Sequence, residues 1–258
     1  MTSKYYHARG LSKAVGVISA SEILLRRALG IARPVSVKVD GHRVEVRPTD
    51  SDLFVLSQVF GWEEYRIDDA HLAHLREIAS GWQSSGIKPV IVDAGANVGY
   101  STLYFASLFP EACVLAIEPD EVAFDILSRH VQSNQNIRPL RAALWFHEQG
   151  LRLQNSANGS WANSVSEGSG TPSRRLDSVL SSLPNMRPLI IKLDIEGAER
   201  EVVESCPEIF AEAKCIIVEP HDFMNVNAAC LSPLYSAISG KRFDTLLSGE
   251  NLILFAVV

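Results

Sequence analysis

The sequence predicts an α/β fold in which a mostly parallel sheet is covered by helices on both faces. From Pro89 onwards, continuous apolar runs alternate with segments of helical periodicity, which is the pattern of strands buried on both sides. The last two apolar runs, residues 242–247 and 252–258, are separated by Ser-Gly-Glu-Asn, which favours an antiparallel hairpin at the end of the sheet. A chain of 258 residues with 47% apolar residues can bury a core of this size.

An N-terminal extension precedes this alternating pattern. Its predicted elements are, in order, a helix over 11–32, a hairpin that turns at Asp40-Gly41, and helices over 50–60 and 69–81. The first helix is amphipathic, because Arg26 and Arg27 lie opposite its apolar residues. We therefore predict two domains, a helical and hairpin extension over 1–85 that serves as a lid or substrate wall, and a core over 86–258.

The core is predicted to follow a regular order of strands and helices. Strands are expected at 89–95, 113–118, 137–144, 188–194 and 214–219, before the terminal hairpin. Helices are expected at 100–109, 121–133, 176–183 and 198–205. A loop rich in Ser, Asn and Gly fills residues 154–173, and no internal repeat is present.

Charge and composition exclude several classes of protein. The net charge of −6 argues against a general nucleic-acid binder, and 21% charged residues exclude disorder as a description of the whole chain. No apolar run is long enough to span a membrane, and the apolar run near the basic start is too short for a signal peptide. The four cysteines form no Cys-x-x-Cys pair, which favours a reducing compartment without a zinc site. We therefore predict a cytoplasmic protein.

The charge is distributed unevenly along the chain. Residues 1–50 hold nine Lys and Arg against four Asp and Glu, whereas the remainder holds 15 against 26. A basic N-terminal arm on an acidic body predicts contact with an anionic surface or substrate, and a solvated helix face is the simpler alternative. The first helix either packs on its own domain, which we favour, or docks on a membrane surface.

The first two strands of the predicted sheet end in residues typical of a nucleoside site. Residues 93–99 (DAGANVG) follow the first strand, and their glycines allow the backbone to approach a ligand closely. Glu118 ends the second strand, where a carboxylate accepts hydrogen bonds from two ribose hydroxyls. A tight turn without a ligand is the alternative.

The glycine spacing distinguishes between two nucleoside cofactors. A dinucleotide site has three glycines in the pattern Gly-x-Gly-x-x-Gly, whereas this turn has Gly95 and Gly99, preceded by Asp93. A carboxylate repels a pyrophosphate but attracts the ammonium and sulfonium groups of S-adenosylmethionine. We therefore predict S-adenosylmethionine as the cofactor.

Charged residues also close the fourth and fifth strands of the predicted sheet. Lys192 and Asp194 lie on one face of their strand, and Glu219 and His221 follow the neighbouring strand. We predict His221, Asp194 and Lys192 as catalytic residues, with His221 or Asp194 accepting a hydroxyl proton. A buried Lys–Asp pair and a surface histidine are the alternative.

Five segments together resemble the FkbM family of S-adenosylmethionine-dependent methyltransferases. They are DAGANVGYST (93–102), AIEPD (116–120), RRLDSVL (174–180), IKLDIEGAER (191–200) and IIVEPH (216–221). The first segment alone fits many methyltransferases, and its combination with the fourth is far more specific. Residues 47–65 are also similar to the segment that precedes the catalytic domain in sugar-modifying members.

The resemblance implies a Rossmann-like class I methyltransferase fold with a seven-stranded sheet. It implies O-methylation of a hydroxyl group of a sugar, glycan or natural product. The residues implied at the cofactor are Asp93, Gly95, Asn97, Gly99, Glu118, Pro119 and Ala142. Lys192, Asp194 and His221 fall on the acceptor side.

The predicted acceptor is a small molecule or glycan, with Trp161 and Glu219 as its binding residues. Trp161 either stacks on a sugar face or pins a flexible loop. Asp194 and Glu219 could supply oxygen ligands to a divalent metal, but no second carboxylate directly follows Asp194, so a metal is not favoured. A nicotinamide-dependent oxidoreductase and a non-catalytic cofactor-binding module are the alternative functions.

Overall fold

The computed structural model describes residues 2–154, 164–168, 170–222 and 229–257. The helices are α1 (Thr2–Ala28), α2 (Asp52–Leu56), α3 (Asp69–Ser84), α4 (Tyr100–Leu108), α5 (Glu121–Val131), α6 (Leu176–Ser181), α7 (Glu199–Ser205), α8 (Pro207–Glu212) and α9 (Ser232–Ala237). The strands are β1 (Val35–Val39), β2 (His42–Val46), β3 (Lys88–Ala94), β4 (Cys113–Ile117), β5 (Ile137–Leu140), β6 (Ala143–Leu144), β7 (Leu151–Gln154), β8 (Ser164–Glu167), β9 (Ser173–Arg174), β10 (Met186–Leu193), β11 (Cys215–Val218), β12 (Phe243–Ser248) and β13 (Asn251–Ala256).

A seven-stranded sheet forms the centre of the molecule, in the order β12-β13-β11-β10-β3-β4-β5. The five strands from β11 to β5 are parallel, and the β12–β13 hairpin adds two antiparallel strands at one edge. The predicted class I fold, with its antiparallel end, is therefore confirmed. The strand order reverses between β3 and β10, and ligands bind outside the carboxyl ends of strands at such a switch point.

The N-terminal extension consists of α1, the antiparallel β1–β2 hairpin, α2 and α3. Apolar residues of the extension, such as Leu11, Ile23 and Leu53, belong to the same hydrophobic core as Ile91 and Ile190 of the sheet. The two parts thus share one core, and the division into domains at residues 85 and 86 stays a prediction.

Several elements differ from the sequence-based expectation. The first helix begins at Thr2 and breaks at Gly16, which has φ 79° and ψ 160°, a conformation that glycine adopts at low cost. A π-helical segment, Ser57–Gly61, continues α2. The strand expected over 137–144 divides into β5 and β6, because β6 leaves the central sheet to pair with β9. The short helices α8 and α9 were not predicted.

Among the described residues, no helix combines the length and the apolar character needed to cross a bilayer.

Candidate functional site

A cleft of about 1000 Å³, measured with its open mouth, lies at the carboxyl ends of the parallel strands. Its lining includes the following predicted site residues: Gly95, Asn97, Glu118, Pro119, Ala142, Lys192, Asp194 and Glu219. Three predicted residues, Asp93, Gly99 and His221, do not line it. Trp161 lies outside the described residues, and its role stays a prediction.

Glu118 lies at one end of the cleft, directly after β4. Its side chain is buried, and its two carboxylate oxygens accept hydrogen bonds from the backbone N–H groups of Asn97 (2.7 Å) and Asp120 (2.8 Å). Burial raises the pKa of Glu118 to about 7, although these two hydrogen bonds lower it. The carboxylate therefore connects β4 to the turn after β3.

The turn after β3 is built from left-handed residues. Asn97 has φ 48°, and Gly95 and Gly99 have φ 77° and 91°. A Cβ at position 95 would lie 1.7 Å from the carbonyl oxygen of Asp194, so this turn requires glycine there. Asn97 Oδ1 is buried and has no hydrogen-bond partner within the described part of the chain, although Asn97 lines the cleft. A buried acceptor of this kind is expected to bind a ligand or water.

Asp93 lies beneath the cleft instead of facing it. It is completely buried, and its Oδ2 accepts hydrogen bonds from the hydroxyls of Ser101 (2.8 Å) and Thr102 (2.6 Å). Its Oδ1 lies 3.2 Å from Lys192 Nζ. Asp93 therefore positions the Lys192 ammonium and holds the first turn of α4.

Lys192 is a buried cation at the centre of the site. Its Nζ donates to the carbonyl oxygen of Gly95 at 2.9 Å and lies 3.4 Å from Asp194 Oδ2. It also lies 5.5 Å from the centroid of the Tyr65 ring, within the range of a cation–π interaction. Burial lowers the pKa of Lys192, but the neighbouring Tyr65, Asp93 and Asp194 raise it well above its ordinary value, so the ammonium stays charged.

His221 is buried behind the cleft, 2% exposed, and is not a surface histidine. Its Nδ1 lies 2.8 Å from Glu199 Oε1, a carboxylate that is completely buried. Its Nε2 faces Glu196 (3.5 Å), Glu219 (3.6 Å) and Asp194 (4.0 Å). Burial lowers the pKa of His221, but the hydrogen bond and charge of Glu199 and the other carboxylates outweigh it, and the pKa rises to about 9.

Replacement of His221 by Gln should lower the free energy of unfolding by about 3 kcal/mol at neutral pH, because it leaves the buried Glu199 carboxylate without its cation. The folded pKa of His221 lies above its ordinary value of 6.5, so its contribution is complete below pH 6.5 and is lost as the pH rises through 9. Denaturant titrations of both proteins between these pH values would measure the difference. A difference that stays constant with pH would show that His221 is neutral in the folded protein.

Asp194, Glu219 and His221 bring three ligand atoms within 4.8 Å of one another, which raises the question of a metal ion. Only a neutral imidazole ligates a metal, so a bound ion would have to displace the His221 proton that the surrounding carboxylates stabilise. Asp194 and Glu219 would supply its oxygen ligands. That a metal is not favoured stays a prediction.

The extension forms one wall of the cleft, which the sequence pattern did not indicate residue by residue. Its lining residues are Val55, Gln58, Val59, Glu64 and Tyr65. Glu64 is buried against the turn between β12 and β13, where a Cβ on Gly249 would lie 2.6 Å from its carboxylate. Glu250 of the same turn also lines the cleft. The resemblance over 47–65 marked the segment, but only the packing of the extension on the shared core selects these side chains.

Two comparisons with known proteins bear on this site. The model of the FkbM methyltransferase domain matches residues 93–237, which include the turn after β3, Glu118 and Asp194. Methyltransferase sdnD of Sordaria araneosa is 44% identical over 54 residues, 21% of this chain and 21% of its own length. Methyltransferase 1 of Beauveria bassiana is 27% identical over 141 residues, 44% of this chain and 56% of its own length. The chain thus spans at most about half of the length of these relatives.

Solved structures with a similar arrangement have low sequence identity to this chain. The precorrin-6y C5,15-methyltransferase of Geobacter metallireducens aligns with a TM-score of 0.40 at 13% identity, covering 73% of this chain and 85% of that chain. The fibrillarin of Aeropyrum pernix with bound S-adenosyl-L-methionine aligns with a TM-score of 0.40 at 12% identity, covering 66% of each chain. The family match does not depend on these alignments. Because it extends over more than half of the sequence, this chain belongs to the FkbM methyltransferase domain family.

Proposed function

We propose that this chain is an S-adenosylmethionine-dependent O-methyltransferase that acts on a hydroxyl group of a sugar, glycan or natural product. One observation carries the proposal: a single cleft joins a nucleoside-type end, formed by Glu118 and Asn97, to a carboxylate, Asp194, that is held by a buried lysine. Membership of the FkbM family supports methyl transfer as the reaction.

The nucleoside-type end of the cleft fits S-adenosylmethionine. Glu118 can accept hydrogen bonds from ribose hydroxyls through lone pairs that its two backbone donors leave free. The unpartnered Oδ1 of Asn97 can accept a hydrogen bond from a bound molecule. Apolar residues for the adenine ring line the same end: Ile117, Pro119, Ala142, Ala143 and Leu144. When bound, the cofactor supplies an electrophilic methyl group.

We assign the role of general base to Asp194 and a positioning role to His221. Asp194 lines the cleft, and its side chain is 23% exposed, so an acceptor hydroxyl can reach it. His221 is buried, already protonated at neutral pH and does not line the cleft. Lys192 joins the base to the cofactor turn, because it contacts both Asp194 and the Gly95 carbonyl. Lys192 thus fixes the distance between the proton acceptor and the bound methyl donor.

The acceptor end of the cleft is acidic, which favours a neutral or cationic acceptor over an anionic one. Glu64, Glu219 and Glu250 line it together with Asp194, whereas the lysine in the lining already contacts Asp93 and Asp194. Burial and the neighbouring carboxylates raise the pKa of Glu64 to about 7 and that of Glu219 to about 8. These raised pKa values mean that the region disfavours negative charge, so that Glu219 is mostly protonated at neutral pH and an entering anionic group would be destabilised in the same way. The basic N-terminal arm therefore does not serve an anionic substrate in this proposal.

The proposal predicts an order of activity for three matched acceptors: a glucoside, its analogue with an ammonium group at the primary carbon, and the corresponding glucuronide. We expect methyl transfer to a hydroxyl of the first two, with kcat/KM for the glucuronide lower by at least about tenfold. Glu250→Gln should reduce this discrimination, and Glu208→Gln, an exposed carboxylate on α8, should leave it unchanged. Product analysis by mass spectrometry and NMR would identify the methylated atom.

Two outcomes would contradict parts of this proposal. Methylation at nitrogen instead of oxygen would reject O-methylation. Cofactor binding without methyl transfer to any of the hydroxyl acceptors would favour the non-catalytic binding module.

A further inference from the structure

The second half of α1 exposes a row of large apolar side chains. Val17, Ile18 and Leu25 are 71%, 88% and 60% exposed, and Leu29 and Ile31 just beyond the helix are 64% and 43% exposed. We refer to these five residues as the outer face of α1. The inner face of the same helix is buried through Ala20 and Ile23, so the helix is already anchored in the core. The outer face is therefore an additional apolar surface that folding of the described residues does not require.

The spacing of these residues places them on one side of the helix, together with the exposed Ser21 and Glu22, and Glu22 pairs with Arg26. Viewed along the helix axis, Val17, Ile18 and Leu25 lie within about 100° of one another, because a helix has 3.6 residues per turn. Leu29 follows Leu25 at a spacing of four residues, and Leu29 N donates to the Leu25 carbonyl at 3.0 Å, so the helical path continues to it. Clustered exposed apolar side chains mark interaction sites, whereas isolated exposed residues do not.

Three exposed basic side chains of the extension follow the outer face in the chain. Arg26 donates to the carbonyl oxygen of Arg33 at 3.1 Å, which places Arg33 at the end of α1 beside Ile31. Lys38 and Arg43 are exposed and directly opposite each other in the β1–β2 hairpin. Arg33, Lys38 and Arg43 form no ion pair with the described residues. Like charges directly across a strand pair are destabilising, so a neutralising anionic partner would relieve a cost of the free protein.

We propose that the extension docks on an anionic lipid bilayer surface, with the outer face of α1 inserted at the headgroup level and Arg33, Lys38 and Arg43 contacting lipid phosphates. An apolar helix face accompanied by basic residues is the pattern of interfacial helices. Two alternatives fit less well. The cleft is acidic, so the basic arm has no anionic substrate to bind there. A second copy in a two-fold interface would use the same patch on both subunits and so bring the same basic residues to both sides of one contact, without an anionic partner.

Co-sedimentation of the full chain with phosphatidylcholine vesicles, with and without phosphatidylglycerol, tests this proposal. We expect binding to the anionic vesicles that weakens with added salt. Ile18→Glu/Leu25→Glu should reduce the partition coefficient by at least about tenfold, because it removes apolar contacts and adds negative charge. Lys38→Gln/Arg43→Gln should weaken binding to anionic vesicles with the apolar residues intact.

Val122→Glu and Leu247→Glu, introduced together, are the matched control. Both residues are exposed apolar side chains outside the outer face, at 59% and 77%, so this double variant adds the same charge elsewhere and should bind like the wild type. Circular dichroism and thermal unfolding would verify that each variant folds. Absence of wild-type binding to anionic vesicles would overturn the proposal. So would a wild-type dimer that Ile18→Glu/Leu25→Glu separates while vesicle binding is unchanged, since the occupant would then be a second copy.

Discussion

Asp194→Asn is expected to lower kcat by about 10²–10⁴-fold, the usual contribution of a positioned general base. Asparagine keeps the shape of the side chain and an oxygen that Lys192 can contact, but it cannot accept the acceptor's proton. Glu118 and Asn97, the proposed cofactor residues, are unchanged in this variant. We therefore expect the affinity for S-adenosylmethionine, measured by calorimetry, to be retained while turnover is lost.

Glu196→Gln is the control for Asp194→Asn, because Glu196 is a second carboxylate that lines the same cleft and faces His221 at 3.5 Å. The Glu196→Gln variant should retain most of the activity, because Lys192 positions Asp194 and not Glu196. If Asp194→Asn keeps full kcat while Glu196→Gln loses it, the base has been assigned to the wrong carboxylate. If both variants keep full kcat, neither residue removes the proton.

The sheet and the nucleoside end of the cleft could be predicted because their signals are local. Each parallel strand is a continuous apolar run, and the residues that end it reach the same edge of the sheet whatever the rest of the chain does. Glu118 and Asp194 were placed in this way, and both line the cleft. The right-handed connection of successive βαβ units limits the possible strand orders, but the reversal between β3 and β10 is seen only in the structure.

The roles of Asp93 and His221 could not be predicted, because burial depends on residues far apart in the sequence. Asp93, like Glu118, lies at the carboxyl end of a parallel strand. The hydroxyls of Ser101 and Thr102 on α4, however, donate hydrogen bonds to it, and it is buried beneath the cleft. The prediction that His221 accepts a proton suits a solvated imidazole with its ordinary pKa of 6.5, whereas the buried Glu199 raises the pKa of His221. No pattern within the segment that ends in His221 identifies that partner.

The wall that the extension forms along the cleft is another feature that the sequence patterns did not reveal. Tyr65 lies between Glu64 and Arg66 in a charged segment, yet it is buried against Lys192 at the centre of the site. This contact arises only when the extension folds onto the sheet, because the two residues lie on different elements of the shared core. Glu64 and the turn at Gly249 meet for the same reason.

Glu118→Ala is expected to weaken S-adenosylmethionine binding by about 10²–10⁴-fold, since two hydrogen bonds to a charged group contribute about 1.5–3 kcal/mol each. The substitution also removes the acceptor for the backbone N–H groups of Asn97 and Asp120. Glu118→Gln separates the two effects, because it keeps an acceptor oxygen without the charge. Calorimetric titration of these variants and of Asp125→Asn, an exposed carboxylate on α5, would measure the losses, and we expect none in the last.

The pH dependence of cofactor affinity tests whether the charge of Glu118 is the cause. With a pKa of about 7 in the free protein, Glu118 is half protonated at neutral pH. Ribose hydroxyls donate to the ionised form, so affinity should increase as the pH rises through 7 and binding should release protons. Titrations in buffers of different ionisation enthalpy would detect that release. Glu118→Gln should abolish both effects.

Two outcomes would contradict this role of Glu118. If the affinity of the wild type is constant between pH 6 and pH 8, the ribose does not bind to a Glu118 carboxylate of raised pKa. If Glu118→Ala binds the cofactor strongly, Glu118 does not belong to the cofactor site.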